Sequence, residues 1–128
     1  MYQIGQDELM FFDKQPTALP IYEAFARKLL EMFPSSSMRV QKSQITFSNR
    51  HIYVCVSFAR VKKKAELPDP FLVITLGLSY PLNSSRVAVK TEPYPGRWTT
   101  HLVVGSISEL DSEFFTWVQQ AYEFAENK

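Results

Sequence analysis

The hydrophobic period of this chain changes twice. Near each end apolar residues recur every three to four positions, whereas from Val40 to Val61 the chain is rich in β-branched and aromatic residues, as in strands, and further strand-like runs follow. The first helical stretch is predicted over Ala18–Phe33, with Tyr22, Phe25, Ala26, Leu29, Leu30 and Phe33 on one side. Thr17 can cap it and Pro20 falls in its first turn, where a missing N–H costs nothing. The last helix is predicted to follow the capping-box pattern Ser108-Glu109-Leu110-Asp111 and to run to about Glu126, with Leu110, Phe114, Trp117, Val118, Ala121, Tyr122 and Ala125 on one side. Each helix has an apolar side that needs a cover, and a sheet is what lies between them in sequence.

Five strands are predicted. The first two form a hairpin from Val40 to Val61 with Asn49-Arg50 at its tip. The third, Phe71–Tyr80, is apolar on both faces and therefore central. Arg86–Thr91 and Thr99–Ser106 follow, separated by Glu92-Pro93-Tyr94-Pro95-Gly96, where two prolines argue for a loop. Short connections make the sheet mainly antiparallel. The expected fold is α+β: a five-stranded, mainly antiparallel sheet with the N- and C-terminal helices packed on one face. All 128 residues suit a single domain, with 1–17 as a lead-in carrying a short helical turn at 7–14.

The hairpin pattern separates two faces. Ile45, Phe47, Val54 and Val56 belong to an apolar face that should meet the helices, with Phe25, Leu29, Phe114, Trp117 and Val118 completing the core. Lys42, Gln44, Thr46, Tyr53, Cys55 and Ser57 fall on the opposite, open face. In the late strand His101 shares that face, because Leu102 and Val104 point to the core. Arg97, at the same loop-to-strand junction, offers a planar fork for carboxylate or phosphate, and Trp98 a flat wall. Lys42, Gln44, Arg97 and His101 are therefore the candidate ligand-binding residues, and an amine, an amide, a guanidinium and an imidazole suit an anionic or polar ligand.

Several chemistries find little material. Cys55 is the one cysteine, so no intramolecular disulfide and no multi-thiolate metal site can form. With only His51 and His101, a metal site would need carboxylates, and no paired spacing offers them. The four glycines are unclustered, so no phosphate-cradling loop and no cofactor is expected. The N-terminal stretch has no basic segment followed by an apolar one, and the longest apolar run is strand-sized, so a cytoplasmic chain without a membrane span is expected. Net charge is +1, yet residues 27–64 hold nine Lys and Arg against Glu31 alone. A segregated basic half can attract phosphates, although its aromatic residues are too few for a stacking platform, so nucleic-acid binding is expected to be weak and sequence-independent.

The stretch Lys42–Phe47 with Arg50, then His101–Val104, Ser108–Glu113, Trp117 and Ala121-Tyr122, resembles the bacterial family catalogued as domain of unknown function 5655. The likeness spans about residues 9–125. It implies no established activity. Relatives often show paired histidines, and here Thr100 precedes His101, which weakens any two-histidine metal or acid–base proposal. The element order also resembles the frataxin-like arrangement, but residues 18–33 carry Glu23 and Glu31 against Arg27 and Lys28, so iron binding does not transfer. The reading that emerges is a non-catalytic binding module, monomeric or homodimeric, for a small anionic ligand or a protein partner. The alternatives are a small enzyme using His101, with Cys55 or Tyr53, and a weak nucleic-acid binder through residues 27–64.

Overall fold

The computed structural model describes residues 2–128. Three α-helices, α1 (Gln6–Phe11), α2 (Leu19–Met32) and α3 (Ser112–Asn127), flank six strands: β1 (Ser37–Val40), β2 (Gln44–Ser48), β3 (Ile52–Ser57), β4 (Leu72–Leu78), β5 (Val87–Tyr94) and β6 (Arg97–Val104). The strands form one antiparallel sheet in the order β1-β2-β3-β4-β6-β5. The α+β class and the antiparallel sheet are as expected; the strand count is six, not five.

Two local effects account for the extra strand and for a longer one. Ser37–Val40 reads as polar chain after a helix stop, yet Met38 and Val40 pair with Phe47 and Ile45 and close the sheet edge. Glu92 and Pro93, expected in a loop, lie in β5. That strand is an edge, and its pairing shifts between Thr91 and Tyr94, so a residue without an N–H breaks no central ladder. The turn to β6 narrows to Pro95-Gly96, with Gly96 at φ 74, a conformation that favours glycine.

The helix caps also differ from expectation. Thr17 lies inside a 3-10 turn (Pro16–Ala18) and makes no capping bond; Ala18 precedes α2, and Pro20 stands in the first turn as anticipated. At α3 the cap is Asp111, whose carboxylate accepts the Phe114 N–H at 2.9 Å. Ser108 is set back in a separate 3-10 turn (Ile107–Glu109), and Leu110 at ψ 61 breaks the helix between them.

All nine residues expected in the core are buried. Phe25 of α2 meets Phe47 of β2 at 6.2 Å between ring centroids, and Phe114 and Phe115 of α3 at 6.1 and 5.9 Å. Helix α3 lies along β3 and β4. These rings interlock edge to face and stacked, each contact adding to what area burial alone provides.

The β2–β3 hairpin corrects the expected register. Phe47 pairs with Val54 and Ile45 with Val56, a slide of two residues from a tight Asn49-Arg50 turn. A slide of two preserves the faces, because the side-chain period is also two. The turn is wider, with Ser48 opposite Ile52, and the pairing shifts next to Phe47. That bulge turns Tyr53 away from the open face: its ring packs on Phe33 and Tyr122, and its hydroxyl bonds Ser36 at 2.6 Å. The turn is anchored to α3, where the Asn49 side chain donates to the Tyr122 carbonyl and the His51 ring bonds the Ala125 carbonyl, both at 2.9 Å.

Candidate functional site

Alternation along the strands defines the face opposite the core. A transverse row crosses the whole sheet there: Arg39, Thr46, Cys55, Thr75, His101 and Val89 are successive partners from β1 to β5. A second row runs Gln44, Ser57, Val73 and Val103. Cys55, Thr75 and His101 are half-buried, unlike the core positions beneath them.

His101 is fixed by a 2.8 Å hydrogen bond between its Nδ1 and Thr75 Oγ1. Its Nε2 makes no hydrogen bond among the described residues. Burial lowers its pKa, since the charged ring loses hydration that nothing nearby replaces, so the imidazole is neutral at pH 7. Thr100, the residue before it, points to the core with a wholly buried hydroxyl that has no partner among the described residues. A histidine at that position would therefore lie on the other side of the sheet and could not act jointly with His101.

Cys55 and His101 do not meet. Thr75 stands between them on the intervening strand, and two strand spacings amount to about 10 Å. The thiol donates to Gln44 Oε1 at 3.1 Å, and burial raises its pKa, so it is held as the unreactive protonated form.

The four sequence-derived residues do not line one pocket. Gln44 opens β2 and Lys42 lies in the turn before it. Strands β2 and β6 are separated by β3 and β4, which puts Gln44 and His101 about 16 Å apart by strand spacing and rise. Arg97 is four residues further along β6, about 24 Å from Gln44 on the same geometry. The structure brings Lys42 and Gln44 together in a groove of ≈ 710 Å³. Neither His101 nor Arg97 lines it. His101 belongs with Thr75, and Arg97 is exposed at the β5–β6 turn.

Three features escape sequence reading. Glu8 of α1 is a buried carboxylate: Gly5 N–H donates to it at 2.7 Å, the Tyr2 hydroxyl at 2.6 Å, and the Tyr22 hydroxyl as well. Burial and then this carboxylate push both phenol pKa values far up. Nothing in the spacing of these residues signals the cluster. Arg86 bonds Asp111 at 3.0 Å and the Glu109 carbonyl, with its guanidinium over the Phe114 and Trp117 rings. The groove beside Lys42 is floored by Phe11 and Phe58, which only the folded chain juxtaposes. Among the described residues no group of three or more His, Cys, Asp or Glu could hold a metal ion, and no helix is long and apolar enough to cross a membrane.

A sheet of this kind, with a hydroxyl, thiol and imidazole row on one side, defines a small α+β protein. The chain belongs to the family described as Domain of unknown function (DUF5655), whose model matches residues 10–125. No curated protein and no solved structure matches it.

Proposed function

We propose that this domain is a non-catalytic binding module. In this reading α2 and α3 share one side of the sheet, and the other side takes an anionic or polar ligand or a protein partner, with Lys42, Gln44, Arg97 and His101 contributing. The observation that supports it is the Thr75–His101 pair. A neutral imidazole, oriented by one ring nitrogen and half-exposed, presents its other nitrogen among hydroxyls on a strand face, where it can donate to or accept from a bound group. A rigid sheet holds such a group better than a loop does. The spread of the four residues means that one elongated ligand could touch all of them, while a small one would engage one end. The free, half-buried Cys55 thiol suits a reducing cytoplasm, and the module acts as a monomer or homodimer.

The test is a panel of inorganic phosphate, citrate, sugar phosphates, nucleotides and a short oligonucleotide, read by thermal shift and then by amide chemical shifts of the labelled protein. The expected hit raises the unfolding midpoint and perturbs Thr75, His101 and Gln44, and His101→Ala weakens it. A hit that perturbs only α2 and α3 would overturn the reading. Oligonucleotide binding that survives physiological salt would favour the basic 27–64 segment instead.

A further inference from the structure

The groove at the Gln44 end of the sheet has the attributes of a small-ligand site. Its volume, ≈ 710 Å³, falls within the range of about 300–1,000 Å³ usual for such sites. Its floor is aromatic: Phe11, at the end of α1, stacks on Phe58, just past β3, with centroids 5.7 Å apart and rings 18° from parallel. Phe12 and Phe71 hold Phe58 edge-on, so the floor is braced from behind. Its rim is polar, with Lys14, Lys42, Ser43 and Ser57 against one acid, Asp13. Neither lysine makes an ion pair among the described residues. The chain leaves the groove at Ala59 and continues into Arg60, Lys62, Lys63 and Lys64, all exposed. Gln44, in contrast, has a committed side chain: its amide donates to Gln41 Oε1 at 3.0 Å and accepts from the Cys55 thiol. It is a wall of the groove rather than a free donor.

We infer that this groove binds a small organic anion with a flat apolar body, such as an aromatic carboxylate, sulfonate or phosphate. The body lies on the Phe11–Phe58 floor, and the charged group sits between the Lys14 and Lys42 ammonium groups with the two serine hydroxyls as further donors. Two ammonium groups and an exposed basic run select an anion over a cation. Apolar floor and charged rim together select an amphipathic anion over bare phosphate. This inference rests on the open-face reading at its Lys42–Gln44 end and adds the ligand class; it does not need His101.

The probe is anilinonaphthalene sulfonate, titrated into the folded full chain at low salt and followed by fluorescence, with circular dichroism confirming that each variant is folded. Saturable one-to-one binding is expected, weakened by salt. The paired change Lys14→Glu with Lys42→Glu should weaken it about tenfold or more, since it replaces two attractive charges by two repulsive ones. Asp13→Asn should tighten it, because it removes the opposing charge. Ala59→Trp, at an exposed lining position, should fill the groove and abolish binding, and the uncharged phenylnaphthylamine should bind more weakly than the sulfonate. Glu123→Gln, at an exposed position of α3 that does not line the groove, should leave probe binding unchanged. Absence of saturable binding to the wild-type chain, or binding indifferent to both the lysine pair and Ala59→Trp, overturns the inference. Loss of the probe with His101→Ala but not with the groove variants overturns it too, while leaving the Thr75–His101 reading standing. Binding lost only in the groove variants supports the inference, and the amide shifts at Thr75 and His101 then judge the wider reading separately.

Discussion

The two faces of the sheet use the same strands to opposite ends. On one, Ile45, Phe47, Val54, Val56, Leu76 and Leu102 are fully buried, Phe47 against the Phe25 ring of α2. On the other, Thr46, Cys55, Thr75 and His101 occupy the alternate positions, with hydroxyl, thiol and imidazole groups in one line. The first face supplies the stability, because apolar area removed from water is the dominant favourable contribution to folding. The second mixes the buried Thr46, Ser57 and Val73 with the half-buried Cys55, Thr75 and His101, where polar groups contribute less to it. Substitutions of similar size at the two sets of positions should consequently differ in cost by several fold.

The largest effect is expected at Phe47. It is fully buried against Phe25, and Phe47→Ala should destabilise the domain by about 3–5 kcal/mol, measured by urea unfolding. A loss below about 1 kcal/mol, the level of an ordinary surface change, would mean that the helix face is not the core of the fold. Glu8 comes next, a polar group that is nevertheless buried. Glu8→Ala strands the Tyr22 hydroxyl and the Gly5 N–H without their acceptor, and should cost about 2–3 kcal/mol. An unchanged midpoint would show that α1 does not depend on this carboxylate.

How much of this was legible in the sequence follows from the same physics. Face assignment survived a register displaced by two residues, since alternation repeats every two. Tyr53 did not survive, because a bulge is set by tertiary packing on Phe33 and Tyr122 and leaves no mark on the alternation. Strand β1 is four residues of mixed character, and its pairing with β2 is what makes it a strand. The site was legible in part. Period alone placed Gln44 and His101 on one side, but the order of strands set them three spacings apart, and order is a long-range property. The Phe11–Phe58 floor joins residues 47 positions apart in sequence, and Glu8 in a short helix reads as a solvated acid until Tyr2 and Tyr22 close over it.

A third, smaller effect is expected at Asp111. The Phe114 N–H first, and then Arg86, favour its ionised form and lower its pKa. A carboxylate with a depressed folded pKa stabilises the fold above the ordinary carboxylate range, and that stabilisation is lost as pH falls through the folded value. Asp111→Ala should therefore lower the thermal midpoint at pH 7, and the gap to wild type should close in acid. A gap that stays constant down to pH 2, below ordinary carboxylate values, would mean that neither the cap nor the Arg86 pair operates.

The smallest effect is expected on the open face itself, at His101. Its folded pKa lies below the ordinary histidine value of about 6.5 because burial disfavours the charged ring. Below that value the unfolded chain binds a proton that the folded chain resists, so stability falls as pH drops from 7 through the histidine range. The ring is half-exposed, and solvent screening keeps the effect small. His101→Gln preserves a polar group that can meet Thr75 Oγ1 and removes the titration. The difference in stability between wild type and variant, taken from pH 7.5 to pH 5, cancels the contributions common to both chains. It should shift against the wild type on acidification. A flat difference would mean that His101 is as freely hydrated as in a peptide. A shift in the opposite direction would mean that a carboxylate partners the ring, and the Thr75–His101 pair would then be a charged site rather than a neutral one.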